Sequence, residues 1–217
     1  MGVNTPMERI FAIGDVHGCH DQLLDLLGRI PIDWSGDQLV FMGDYIDRGP
    51  KSYEVVEHLI GLQALHPGIV FLKGNHEQML MDYLSGKDRM TYLYNGGQQT
   101  LESYLNHAGP RAKYPIPDAH LRFFESLALF HETETYIFVH AGLRQDVPMD
   151  QQAPEDLLWI REKFIYTTRS FGKRVVFGHT PFDEPLVDPN KIGIDTGAVF
   201  GNKLTCLQLP EEKFFFS

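Results

Sequence analysis

Cation-binding side chains recur in five short clusters along this chain: Gly14-Asp15-Val16-His17-Gly18, Gly43-Asp44-Tyr45-Ile46-Asp47-Arg48-Gly49, Gly74-Asn75-His76-Glu77, His140-Ala141-Gly142 and Gly178-His179-Thr180-Pro181. Asp15 and His17 stand two apart. In an extended segment such residues point the same way, so a carboxylate and an imidazole could grip one cation. Asp44 could share that cation, and Asn75, His140 and His179 could hold a second. The ligand set is then two aspartates, one asparagine and three histidines, without a thiolate. Oxygen with imidazole suits Mn, Fe, Zn or Ni better than a Mg or Ca cage. Two carboxylates set against two dications leave positive charge, which attracts phosphate. Gly14 and Gly18 permit a sharp backbone and the close approach of a phosphate group. A lone Asp-x-His pair is more often structural, and a lone Gly-Asn-His-Glu reads as a loop. Five such clusters in order in one chain are not explained by packing.

Each cluster closes a short apolar, β-branched or aromatic run, at 9–13, 39–42, 69–72, 136–139 and 175–177. Runs of this length and composition read as buried strands. Leu23, Leu26, Leu27 and Ile30 repeat at helical spacing after the first cluster, and Tyr53, Val56 and Ile60 do so after the second. A third helix is expected at 76–84. Strand–helix–strand alternation implies parallel pairing with right-handed crossovers. Further on, 129–131 and 136–139 read as a hairpin, and 192–194 and 204–209 as further strands, so a second, mixed or antiparallel sheet is expected. Open α/β sheets bind ligands beyond the carboxyl ends of their strands, so the five clusters should converge on one edge.

The stretch 85–127 carries no such cluster. Leu101, Tyr104 and Leu105 indicate one helix and 118–127 another, with a loop at 109–117 that holds three prolines. The expectation is a helical insertion at 85–127 on a single domain spanning 1–217. It could shape a substrate groove or merely cover the sheet.

The formal charge of −10 opposes non-specific binding to nucleic acid or to an anionic membrane. It leaves an anionic substrate open, because bound cations invert the local field. Two cysteines, Cys19 and Cys206, make no disulfide framework, and a reducing compartment is the simpler reading. No basic segment followed by a long apolar stretch opens the sequence, and no run approaches a membrane span, so a cytoplasmic protein is expected.

With these residues in view, the sequence resembles the phosphoprotein phosphatase branch of the calcineurin-like metallophosphoesterases, from Gly14 to about Thr205. It is most similar to the small bacterial and phage enzymes of the bacteriophage lambda protein phosphatase type, through Gly-Asn-His-Glu-Gln-Met at 74–79 and Ile-Asp-Thr-Gly-Ala-Val-Phe at 194–200. The resemblance implies an α/β fold of two packed mixed β-sheets flanked by helices. It implies a first metal held by Asp15, His17 and Asp44, and a second held by Asp44, Asn75, His140 and His179, with Asp44 bridging. Two divalent transition metals are the expected cofactor, Mn first, with Fe, Zn or Ni as alternatives. Catalytic roles fall to Asp47, Arg48, His76 and Arg161, the last through Leu158-Trp159-Ile160-Arg161, where the spacing is looser. The chemistry agrees: guanidinium forks match phosphate oxygens in a bidentate way. The plain reading of Arg161 is a surface helix arginine with Trp159 in the core.

The resemblance implies hydrolysis of a phosphomonoester by a metal-bridging hydroxide attacking phosphorus in line, with His76 protonating the leaving group and Asp47 fixing the His76 tautomer. A phosphoprotein or phosphopeptide is the expected partner, carrying phosphoserine, phosphothreonine or phosphotyrosine; no regulatory subunit is expected. The nearest rival is a dinucleoside polyphosphate hydrolase of the same superfamily. Such enzymes share the first motif but typically lack the Asp-Arg pair and end the third motif in Asp, so Asp47-Arg48 and Glu77 favour the protein phosphatase side. A nuclease is opposed by the acidic charge, and a non-catalytic module by the complete ligand set. Glu77 is expected to support its loop. His58, His66, His107, His120 and His131 are expected in packing or surface roles, Cys19 in packing, and His20 at most in substrate contact.

Overall fold

Apolar runs become strands here, and the polar clusters that follow them become loops, except the third, which opens a helix at Asn75. The computed structural model describes residues 9–108 and 116–217. In chain order the elements are β1 (Ile10–Ile13), α1 (His20–Arg29), β2 (Gln38–Phe41), α2 (Ser52–Leu65), β3 (Val70–Phe71), α3 (Asn75–Leu84), α4 (Met90–Tyr92), α5 (Gln98–His107), α6 (Asp118–Ser126), β4 (Phe130–Glu132), β5 (Tyr136–Val139), α7 (Pro154–Trp159), α8 (Glu162–Ile165), β6 (Arg174–Phe177), β7 (Leu186–Val187), β8 (Lys191–Gly193), β9 (Thr205–Leu209) and β10 (Lys213–Phe216). A 3₁₀ turn, Ala198–Phe200, lies just before β9.

The strands form two five-stranded sheets, ordered β10-β9-β1-β2-β3 and β4-β5-β6-β8-β7. β1, β2 and β3 pair parallel, while β9 runs antiparallel to both β1 and β10. In the second sheet β5, β6 and β8 pair parallel, with β4 and β7 antiparallel at the edges. Both sheets are therefore mixed, and the α/β fold with helices outside is the one expected.

Alternation along each strand explains the layering. Ile10, Ala12, Val40 and Met42 of the first sheet pack on Phe138, Val176 and Ile192 of the second, forming the dry seam between sheets. Phe11, Ile13, Leu39 and Phe41 face the other way, onto Leu23, Leu26, Val56, Leu59 and Phe124 of the helices. Ile137, Val139, Val175 and Phe177 do the same beneath Leu157 and Phe164. Strands covered on both faces read as unbroken apolar runs, which is why they were visible in the sequence.

Some elements were not foreseen. β7 has two residues and α7 six, too short for any periodicity to register, and β10 is a terminal strand. The expected loop at 109–117 lies, up to residue 115, outside the described residues. Among the described residues no helix is long and apolar enough to cross a membrane. One expectation needs correction: the five clusters do not line one sheet edge. Three end β1, β2 and β3 in one sheet, and two end β5 and β6 in the other. They meet because the sheets pack face to face, bringing the carboxyl ends of both parallel sets together.

Candidate metal centre

The loops that carry the site are strained and held open by named contacts. His17, Asp44, Asp47, Arg48 and His179 all have positive φ, between 45° and 72°. Each such non-glycine residue costs on the order of 1–3 kcal/mol and persists only where its surroundings enforce it. Glu77 is one enforcer. Its Oε2 accepts from the backbone N–H of Asp44 (3.0 Å) and Gly74 (2.9 Å), and its Oε1 from Tyr45 (2.8 Å). The Asp44 carbonyl in turn accepts from the N–H of Val16 and His17, locking the first two clusters together. Glu77 thus supports the loop, as its sequence reading held.

The donors converge around Asp44. His17 donates Nδ1–H to the Ile46 carbonyl at 2.8 Å, so its Nε2 keeps a lone pair, 3.4 Å from Asp44 Oδ2. His140 donates Nδ1–H to the Met42 carbonyl at 2.8 Å, leaving Nε2 at 3.0 Å from Asn75 Oδ1 and 3.4 Å from Asp44 Oδ1. His179 Nδ1 lies 2.9 Å from the same Asn75 oxygen. Two compact donor groups result, His17-Asp44-His76 and Asp44-His140-His179, which share Asp44 through its two oxygens.

Acceptors facing acceptors form a ligand shell, and this one fits a pair of cations. The His179 Nε2 is buried without a hydrogen-bond partner. Burial drives the pKa of His17 down to about 3 and that of His179 to about 2, and also lowers that of His140, keeping all three imidazoles in the neutral, ligating form. Burial opposes ionisation of Asp44, yet the surrounding imidazoles hold it below the usual carboxylate range. Asp15 is pushed up by burial and by the Asp195 and Asp44 carboxylates. Carboxylates gathered in a buried site call for compensating positive charge.

Asp15 departs in detail from the expected geometry. Its segment is not extended, because His17 is left-handed, and its carboxylate accepts from the His179 backbone N–H at 3.0 and 3.2 Å. It therefore clamps the first cluster to the fifth across the two sheets. Gly178 is required there: a Cβ at that position would lie 2.1 Å from Asp15 Oδ1.

The catalytic candidates surround this centre. His76 donates Nδ1–H to Asp47 Oδ2 at 2.6 Å, and its Nε2 is buried without a partner, 3.9 Å from Asp44 Oδ2. Burial disfavours the imidazolium, but the Asp44 and Asp47 carboxylates outweigh it and raise the His76 pKa. Asp47 Oδ1 accepts from the Thr100 hydroxyl at 2.7 Å, and the Asp47 N–H donates back to Thr100 Oγ1 at 2.8 Å. Arg48 donates to His17 Nε2 at 2.7 Å, and its backbone N–H reaches the Gly96 carbonyl.

Arg161 sits between α7 and α8 with Nη1 at 3.5 Å from Thr180 Oγ1, and its charge acts on His140, His179 and Asp195. It faces the centre, so the plain surface reading fails. Trp159 is not core either: it is 38% exposed and stands edge-on to His179. His20 pairs edge-on with His58 and joins neither donor group.

Two residues escaped sequence reasoning. Thr100 is a threonine in the first turn of α5 with no local signal, brought to Asp47 by packing of α5 on α2. Asp195 is buried beside Asp15, with burial pushing its pKa to about 6, and its Oδ1 accepts from the Gly197 N–H. Its signal lay in the 194–200 segment.

The sequence model of the calcineurin-like phosphoesterases matches residues 8–208. The chain belongs to this family. It is thus a metal-dependent phosphoesterase. A bis(5'-nucleosyl)-tetraphosphatase of the asymmetrical type from Bacillus subtilis (strain 168) is 31% identical, over 92% of this chain and 90% of its own. One from Geobacillus sp. (strain WCH70) is 29% identical, over 94% and 91%. Among solved structures, a candidate diadenosine tetraphosphatase superposes with a TM-score of 0.77 at 22% identity, covering 99% of this chain and 95% of its own. A cold-active protein tyrosine phosphatase gives 0.68 at 18% identity, covering 97% and 76%; both speak to the fold.

The curated relatives overturn the expectation of a phosphoprotein or phosphopeptide partner: they are named for tetraphosphatase action on a small dinucleotide. The geometry explains why the motif argument misled. Glu77 is spent on three backbone N–H groups and Asp47 on His76 and Thr100. Neither side chain reads the substrate, so neither reports its class.

Proposed function

We propose that this phosphoesterase hydrolyses dinucleoside polyphosphates, adding water across one P–O–P bond so that one nucleoside leaves as its monophosphate and the other keeps the remaining phosphates. The single observation that carries the substrate is the identity of about three residues in ten, along nine-tenths of both chains, with asymmetrical bis(5'-nucleosyl)-tetraphosphatases. We treat the chain as one domain with the helical segment 85–127 set upon it, and Cys19 and Cys206, both free thiols, suit a reducing cytoplasm.

In this reading His17 and Asp44 would hold one metal, with Asp15 beside them as a further carboxylate, and Asp44, Asn75, His140 and His179 would hold the other. Bound dications supply Lewis-acid polarisation of a phosphoryl oxygen and an activated water. Arg48 and Arg161 bind the phosphoryl oxygens, their forked guanidinium groups set on opposite donor groups, at His17 and beside Thr180. His76 acts as the imidazolium: Asp47 accepts from Nδ1–H and, with Asp44, favours the charged ring, whose Nε2–H passes its proton to the departing phosphate oxygen. Thr100 in turn orients Asp47.

The test is a side-by-side rate comparison of diadenosine tetraphosphate and a phosphoserine peptide with Mn, products resolved by chromatography. Diadenosine tetraphosphate should have the higher kcat/KM and give equal AMP and ATP. Two ADP would refute the asymmetric cleavage, and a faster phosphopeptide would refute the substrate class.

A further inference from the structure

Two aromatic residues beside the centre remain partly in water. Trp159 ends α7, whose burial is carried by Leu157 and Leu158. The residue is 38% exposed, and its ring stands at 83° to the His179 ring, with centroids 6.1 Å apart. Phe200 is 67% exposed on the 3₁₀ turn Ala198–Phe200, which Gly197 and Gly201 bracket in left-handed conformation. That turn is tied to the site, because Gly197 N–H donates to Asp195. The Arg48 guanidinium lies 5.6 Å over the Phe200 ring while also donating to His17.

The rings are therefore distributed one to each donor group. Phe200 connects through Arg48 to His17, in the group His17-Asp44-His76. Trp159 adjoins His179, in the group Asp44-His140-His179. Asp44 lies between them. A dinucleoside polyphosphate has the matching layout, an anionic chain in the middle and a planar base at each end. Aromatic rings left in water forgo burial, and planar π-systems gain free energy by stacking on them.

We infer that Phe200 and Trp159 are stacking platforms for the two nucleobases of a dinucleoside polyphosphate, an inference that rests on the function proposed above. Stacking reads the face of a base and not its edge, so adenine and guanine dinucleotides should be accepted with similar KM.

Kinetics and fluorescence together test this. Trp159→Ala and Phe200→Ala should each raise KM for diadenosine tetraphosphate about tenfold, the worth of one base–aromatic stack. The Ki of inorganic tripolyphosphate, a phosphate chain without bases, should rise far less. Trp159→Phe and Phe200→Trp should restore most of the loss. The chain has two tryptophans, so Trp34→Phe leaves Trp159 as the sole indole emitter. A methylene-bridged, non-hydrolysable analogue should then quench it. Turnover of the dinucleotide with neither quenching nor a KM change in the alanine variants would overturn the stacking role and leave the proposed function standing. Quenching without turnover would do the reverse, and absence of both would sink the two together.

Discussion

Gly74→Ala isolates how tightly the position of Asp44 is set. Gly74 has φ −91° and ψ 170°, a conformation alanine adopts freely, so no backbone strain arises. The obstacle is steric. An added Cβ would lie 2.0 Å from Asp44 Oδ1, 2.8 Å from its Cγ and 2.4 Å from its backbone nitrogen. Carbon rarely sits closer than about 3.0 Å to such atoms, so the carboxylate must retreat by about 1 Å. Rotating the side chain does not relieve the clash with the nitrogen, which Glu77 holds in place. A misplacement of about 1 Å costs on the order of 10²-fold in rate, or about 2.7 kcal/mol of transition-state stabilisation. Overpacking should destabilise the fold by about 1–3 kcal/mol, less about 0.4–1 kcal/mol from the stiffer unfolded chain.

The assay is kcat/KM on p-nitrophenyl phosphate with Mn, bound metal by elemental analysis, and the urea midpoint. Gly61→Ala serves as the control: it lies in α2 with nothing within 4 Å of its added Cβ. It should gain roughly 0.5–1 kcal/mol of stability and keep its rate. A Gly74→Ala protein with full metal content and a rate within twofold of the parent would refute the claim that this contact sets Asp44.

Asp44→Asn should impair both metal positions together, since one carboxylate oxygen faces each donor group; dialysis against Mn followed by elemental analysis should find fewer than two ions, and a full complement at full rate would show that Asp44 is not shared. His76→Asn should act according to the leaving group. On phenyl phosphate, whose phenolate has a parent pKa near 10, losing the acid should cost about 10²–10⁴ in turnover. On diadenosine tetraphosphate, whose leaving phosphate titrates near 6, the loss should be much smaller. Equal losses on the two substrates, with metal content confirmed, would assign His76 to orienting metal or phosphate.

The sequence by itself determined the chemistry. Strand-end clusters pointed to Asp15, His17, Asp44, Asn75, His140 and His179 as candidate donors because a cation shell demands particular side chains, and each follows a short apolar run. Glu77 was legible as a support for the same local reason. Three features had to await the tertiary structure. Thr100 reaches Asp47 from 53 residues away, and Asp15 meets the His179 amide from 164 residues away; no pattern along the chain encodes such pairs. Trp159 looked like core because large aromatics usually are, yet the packing of Leu157 and Leu158 left it facing the centre. Substrate class was misjudged from Asp47-Arg48 and Glu77; the Asp47 and Glu77 side chains turn inward, onto His76, Thr100 and backbone N–H groups. Residues that touch only their own loops carry the reaction type in local patterns, whereas segments such as 159–161 and 198–200 come near those loops only in the folded chain.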